Sequence, residues 1–79
     1  MSDARLSTAQ ILCEIGPLLF GDGWEGPMAR ALNVAVRTVQ RWESGYSIPP
    51  DALKAEVLNL AEARLRVLHA AVERVRGSS

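Results

Sequence analysis

Cysteine is almost missing from this chain. Cys13 is the one thiol, so no disulfide can staple the molecule from within. Histidine is as scarce. His69 and Cys13 together fall short of any Cys₄, Cys₂His₂ or His₃ zinc set, and no metal or cofactor is expected. Net charge is missing too: nine basic residues balance nine acidic ones. A neutral total announces no nucleic acid, so any such reading has to come from local placement. No apolar run is long enough for a membrane span. The opening residues, Met1-Ser2-Asp3-Ala4-Arg5, lack the basic and apolar regions of a signal peptide, which predicts a cytoplasmic location. Catalytic sets are also lacking. There is no Ser-His-acid or Cys-His arrangement, and Gly21-Asp22-Gly23 is too short and isolated for a phosphate-cradling loop. The chain does not read as an enzyme.

What is there is helical. The 79 residues have room for one small domain, and 48% hydrophobic with 23% charged residues suits a folded chain rather than a disordered one. A domain this size buries only about 60% of its unfolded surface, so its core is marginal without a staple or a second copy. Apolar residues rarely alternate at period two, which gives a sheet little support. The expected fold is all-α, with four to five helices and a long one at the C-terminal end.

The first helix opens at Ser7, which with Gln10 has the spacing of a capping box. Leu6 and Ile11 have that of a hydrophobic staple. Ile11, Leu12, Ile15, Leu18 and Leu19 follow at helical spacing. Pro17 predicts a kink or a break near Gly16, and the helix ends by Phe20. A second helix is predicted from Pro27 to Leu32, with Asn33 in the tight turn after it. A third covers Val36 to Ser44, stopped by Gly45. After the extended link Ser47-Ile48-Pro49-Pro50, the last helix spans about Asp51 to Arg76, and Gly77-Ser78-Ser79 should fray.

Two apolar stripes run along that last helix. Leu53, Val57, Leu60 and Val67 form one. Leu58, Ala61, Leu65, Leu68, Val72 and Val75 form the other, with steps of three and four in strict alternation, as in a heptad a/d seam. Spacing alone leaves open whether the second stripe is core or meets another chain. The expected division gives the N-terminal half to the monomer core and the C-terminal half to a homodimer.

Two short helices around a tight turn, from about Glu25 to Ser44, follow the helix-turn-helix plan. Ala29 falls where the helices cross, Asn33 at the turn, Val34 as its plug, and Val39 and Trp42 as inward anchors. On Ala29, Leu32, Asn33-Val34, Thr38-Val39 and Arg41-Trp42, with Gly45 and Pro49-Pro50 downstream, the chain resembles the Cro/CI-type (Xre-like) helix-turn-helix regulators. The motif covers about a quarter of the chain. The resemblance implies a sequence-specific duplex-DNA-binding regulator, acting as a repressor on a palindromic operator. It is similar to the compact regulators of phages and mobile elements, antitoxin-like and anti-CRISPR-associated repressors among them. No domain for a small-molecule effector is evident. Two positions depart from the pattern. Ala35 stands where a capping Ser or Asp is common. Glu25 stands where a phosphate-contacting glutamine is common, and a carboxylate there repels the DNA backbone.

The residues support a DNA reading on their own terms. With Val39 and Trp42 turned inward, Arg37, Gln40, Arg41 and Ser44 form one outward ridge. Arg37 and Arg41 can each grip guanine O6 and N7, and Gln40 can address adenine or a phosphate. Val36 near the helix start can meet a thymine methyl. Thr38 and Arg30 complete the expected contact set, though Arg30 serves equally well as an ion-pair partner. From Arg30 to Trp42 there are three arginines and no acid, a local charge near +3 in a neutral chain. The neutral total predicts weak non-specific binding. The competing reading is a protein-interaction module that works through the last helix's seam. Cys13 is expected to act as a small hydrophobe, Trp24 as a core anchor, and His69 as an exposed or interface residue.

Overall fold

Ser7 starts the first helix as the sequence predicts. In the computed structural model, which describes residues 6–78, the Gln10 backbone N–H donates to Ser7 Oγ at 3.1 Å. The Ser7 N–H donates back to Gln10 Oε1 at 2.8 Å, which closes the capping box. The expectations drawn for residues 1–5 and for Ser79 lie outside the described residues. Four helices follow in order: α1 (Thr8–Phe20), α2 (Glu25–Leu32), α3 (Val36–Ser44) and α4 (Ala52–Gly77). No strand occurs among the described residues.

Pro17 lies inside α1 and does not break it. The residue before a proline normally resists helical geometry because its Cβ meets the ring. That residue is Gly16, which has no Cβ. The bare backbone at Gly16 serves a second purpose. Trp24 packs its ring against it so closely that an added Cβ would fall inside the indole. Gly21, with φ of 74°, ends α1, and its N–H donates to Pro17 O at 2.7 Å.

α2 starts two residues earlier than expected, at Glu25 rather than Pro27. Trp24 already has helical geometry, and the Met28 N–H donates to Trp24 O at 2.9 Å. Pro27 is tolerated because N–H groups in a helix's first turn have no intrahelical acceptor, so a missing donor there costs nothing.

The core gathers Leu12 from α1; Trp24, Met28, Ala29 and Leu32 around α2; Val39 and Trp42 from α3; and Leu53 and Val57 from α4. Ile11, Val34 and Leu60 pack on it from the edge. The N-terminal half of α4 therefore completes the core, as predicted. Its first stripe stops there: Val67, expected with Leu60, is 66% exposed. The reason is length. α1 spans 13 residues and α4 spans 26, and the end of α1 at Leu18 and Leu19 reaches along α4 only to about Leu68. α4 begins one residue after Asp51 and runs one residue past Arg76. Asp51 does not cap it with its side chain. Its Oδ1 instead accepts from Thr8 Oγ1 at 3.4 Å, tying the starts of α1 and α4 together.

The start of α3 is uncapped, as its sequence suggests. Ala35 has the extended backbone of a cap residue (φ −73°, ψ 147°) but no side-chain acceptor. Ala35→Ser should supply one and stabilise the fold by about 1 kcal/mol. In thermal unfolding this reads as a rise of about 4–8 °C; an unchanged midpoint would mean that the α3 amides already have other acceptors.

Candidate nucleic-acid interface

Asn33 sets the geometry of this face. It is the one non-glycine residue among those described with a positive φ (61°), at the C-terminal end of α2. Asparagine tolerates this left-handed region better than other residues that carry a Cβ. The Asn33 N–H donates to Arg30 O at 3.2 Å, and the Val34 N–H to Ala29 O at 2.9 Å. These bonds close α2 and turn the chain sharply into α3. Ala29 is buried at that turn, and Val34 is half-buried against the core. Each takes the place the sequence predicts.

α3 is then oriented by its inner side. Val39 is fully buried and Trp42 nearly so. Their burial turns Arg37, Gln40, Arg41 and Ser44 outward, where they line one shallow open surface. The predicted ridge is therefore physically continuous. Val36 is exposed beside it, and Thr38 is half-buried. Arg30 is exposed on α2 but does not line this surface. Its Nη1 lies back along α2, 3.9 Å from where a Cβ on Gly26 would stand.

Two features of the ridge go beyond the expectation. Tyr46, which the sequence reading passed over, lines the same surface and is 78% exposed. The Arg41 guanidinium lies 5.5 Å from its ring centroid, a cation–π contact that steadies the arginine while leaving its N–H groups accessible. Ser44 is not a free hydroxyl. Its Oγ–H donates to Arg41 O at 3.2 Å, so outward it presents an acceptor rather than the donor a phosphate needs.

An acidic edge borders the basic ridge. Glu43 of α3 has its pKa raised, first by interaction with the Glu25 carboxyl of α2, then by burial and by the Glu25 charge. Burial, with Glu43 and Glu25 nearby, also pushes the Cys13 thiol up and keeps it in the neutral form. Cys13 is half-buried beside the core, as its small-hydrophobe reading requires. Among the described residues there is no cluster of His, Cys, Asp or Glu fit to hold a metal, and no helix long and apolar enough to cross a membrane.

The second expected surface lies on α4. Leu58, Leu65, Leu68, Val72 and Val75 are exposed, while Ala61 is half-buried. Within one chain this stripe is not core. Leu18, one of the apolar residues at helical spacing on α1, is 76% exposed and borders the same stripe together with Ile15 and Leu19. His69 is exposed on the next turn. No protein-family model, curated protein or solved structure matches this chain.

Proposed function

We propose that this protein is a sequence-specific duplex-DNA-binding regulator of the Cro/CI type, with α2 and α3 as its helix-turn-helix and α3 as the recognition helix. One observation carries the reading. Burial of Val39 and Trp42 turns Arg37, Gln40 and Arg41 outward as a continuous ridge, beside a sharp turn at Asn33. A helix presented this way enters a major groove with its side chains against base edges. Arg37 and Arg41 would donate to guanine, and Gln40 to adenine or a phosphate. Val36 at the helix start would meet a thymine methyl, with Thr38 beside it. Arg30, set back on α2, suits a phosphate rather than a base. The protein would bind as a homodimer through the exposed α4 stripe, reading two half-sites of a palindromic operator. Exclusion of polymerase from an overlapping promoter would then give repression.

The exposed α4 stripe favours a second reading, in which the molecule is an interaction module and α2–α3 is only scaffold. Selection from a random duplex pool near physiological salt separates the two. The DNA reading expects a two-fold symmetric motif with half-sites about 10 bp apart. A folded sample that enriches nothing overturns it in favour of the module.

A further inference from the structure

The exposed stripe of α4 has a symmetry that single positions hide. Leu58, Ala61, Leu65, Leu68, Val72 and Val75 are spaced as a palindrome about a point midway between Leu65 and Leu68. A stripe with that pattern matches itself when turned end to end. We propose that a second copy of this chain covers it, with the two α4 helices antiparallel and in a single register. Leu58 then meets the partner's Val75, Ala61 the partner's Val72, and Leu65 the partner's Leu68. Each contact pairs an a position with a d position, as antiparallel knobs-into-holes packing requires.

The exposed area fits a partner of this kind. The chain exposes 5626 Å², against roughly 4,700 Å² for a compact monomer of its mass. The excess is close to the 800 Å² or so that each partner gives to a standard interface. The radius of gyration, 14.6 Å, also exceeds the roughly 12 Å expected of a compact chain this long. Leu65 and Leu68 are 64% and 57% exposed at the centre of the stripe, where Leu18 adds its own apolar side chain.

Charge selects the antiparallel arrangement. One flank of the stripe carries Glu62, His69 and Arg76 at seven-residue spacing. Antiparallel pairing in this register places Glu62 between the partner's His69 and the partner's Arg76, twice, with the two histidines flanking the symmetry axis. Parallel pairing brings Arg64 to the partner's His69 and offers Glu62 no opposite charge. The other flank brings Arg64 toward the partner's Arg64. That repulsion is eased because Arg64 bends back onto its own α1, donating from Nη1 to Leu19 O at 3.1 Å and resting 5.7 Å from the Phe20 ring centroid.

The register also sets a distance. At 1.5 Å of rise per residue, the two bodies anchored at Leu53 and Val57 lie about 35 Å apart along the seam. One turn of duplex DNA separates half-sites by a similar length, about 34–36 Å. Parallel pairing would put both bodies at the same end. This last argument rests on the DNA-binding reading; the packing and charge arguments do not.

The test uses the full chain without DNA, so its result is separate from operator binding. Sedimentation should give a dimer at micromolar concentration, and Leu65→Glu with Leu68→Glu should give a monomer whose helical circular dichroism persists. A wild-type monomer, or a dimer that survives the pair, overturns the proposal. Glu62→Arg alone and Arg76→Glu alone should each weaken the dimer about tenfold, and the two together should restore it. Residues 62 and 76 lie about 21 Å apart on one helix, so rescue can come only from contact between chains. Failure of rescue overturns the register. Nitroxides on Gly77→Cys, with Cys13→Ser, should sit about 30 Å apart by dipolar spectroscopy. A separation under about 20 Å means parallel helices and overturns the antiparallel arrangement.

Discussion

Arg37→Ala combined with Arg41→Ala should weaken binding to the selected operator on the order of a thousandfold. Each arginine set against guanine is worth about 1–3 kcal/mol of discrimination, and the two together about 4 kcal/mol. The fold should not notice. Both side chains are exposed on α3, and the contact that Arg41 makes with the Tyr46 ring lies at the surface. Thermal midpoint and oligomeric state should therefore match wild type. The kind of loss identifies the kind of contact. Base readout predicts that discrimination against altered operator positions collapses. Phosphate contact predicts a uniform loss across sequences and a salt slope lower by about 1 per arginine. Arg66→Ala with Arg74→Ala removes the same charge from α4 and is the matched control. That pair should change affinity much less. If operator binding survives loss of Arg37 and Arg41, α3 is not the recognition helix.

The ridge was legible in the sequence because its cause is local. Once Val39 and Trp42 are assigned inward, helical geometry alone fixes where Arg37, Gln40, Arg41 and Ser44 point. The turn at Asn33 was legible for a similar reason, since few residues with a side chain accept a positive φ. The capping box at Ser7 is readable from two residues three apart. Tyr46 was not, because it lies beyond the helix, and no helical periodicity governs a residue placed by the turn after Gly45. A signal was present all the same: an aromatic residue in a polar turn directly after an arginine-bearing helix. The bond of the Ser44 hydroxyl to the Arg41 carbonyl was not read from the ridge spacing, which says where a side chain points and not which backbone carbonyl lies one turn back.

Helix boundaries failed where proline was read too strictly. Pro27 suggested a first position and occupies the third, because all the early positions of a helix forgive a missing donor. Pro17 suggested a kink or a break, and the helix does not break, because Gly16 before it carries no Cβ. Leu18 and Val67 share helical spacing with core residues and face out. Periodicity tells which residues share a face of a helix. It does not tell how far along the helix a neighbour reaches, and here α1 reaches along α4 only to about Leu68.

The least legible contact carries the largest expected effect on stability. Gly16→Ala should destabilise the protein by about 3 kcal/mol, the upper end of the usual range for overpacking. Alanine ordinarily helps a helix by up to about 1 kcal/mol over glycine, so propensity alone predicts the opposite sign. The steric term decides. The new methyl would occupy the space of the Trp24 ring. A flexible side chain could bend away, but an indole packed in the core has no such freedom. Trp24 would have to leave, opening a cavity beside Met28 and Leu12 and loosening the start of α2. A domain of 79 residues has roughly 4–12 kcal/mol of stability in all. The loss should appear in calorimetry as a fall of about 15 °C in the unfolding midpoint. Trp24→Leu should cost stability on its own, yet in the Gly16→Ala background its cost should shrink or reverse. The two changes act on one contact, and a coupling of about 1 kcal/mol or more is expected in the double-mutant cycle. Strict additivity would mean that the glycine and the tryptophan do not share the space between α1 and α2. Operator binding by Gly16→Ala, measured well below its midpoint, should stay close to wild type. Trp24 holds the start of α2, whereas the ridge of α3 is held by Val39 and Trp42.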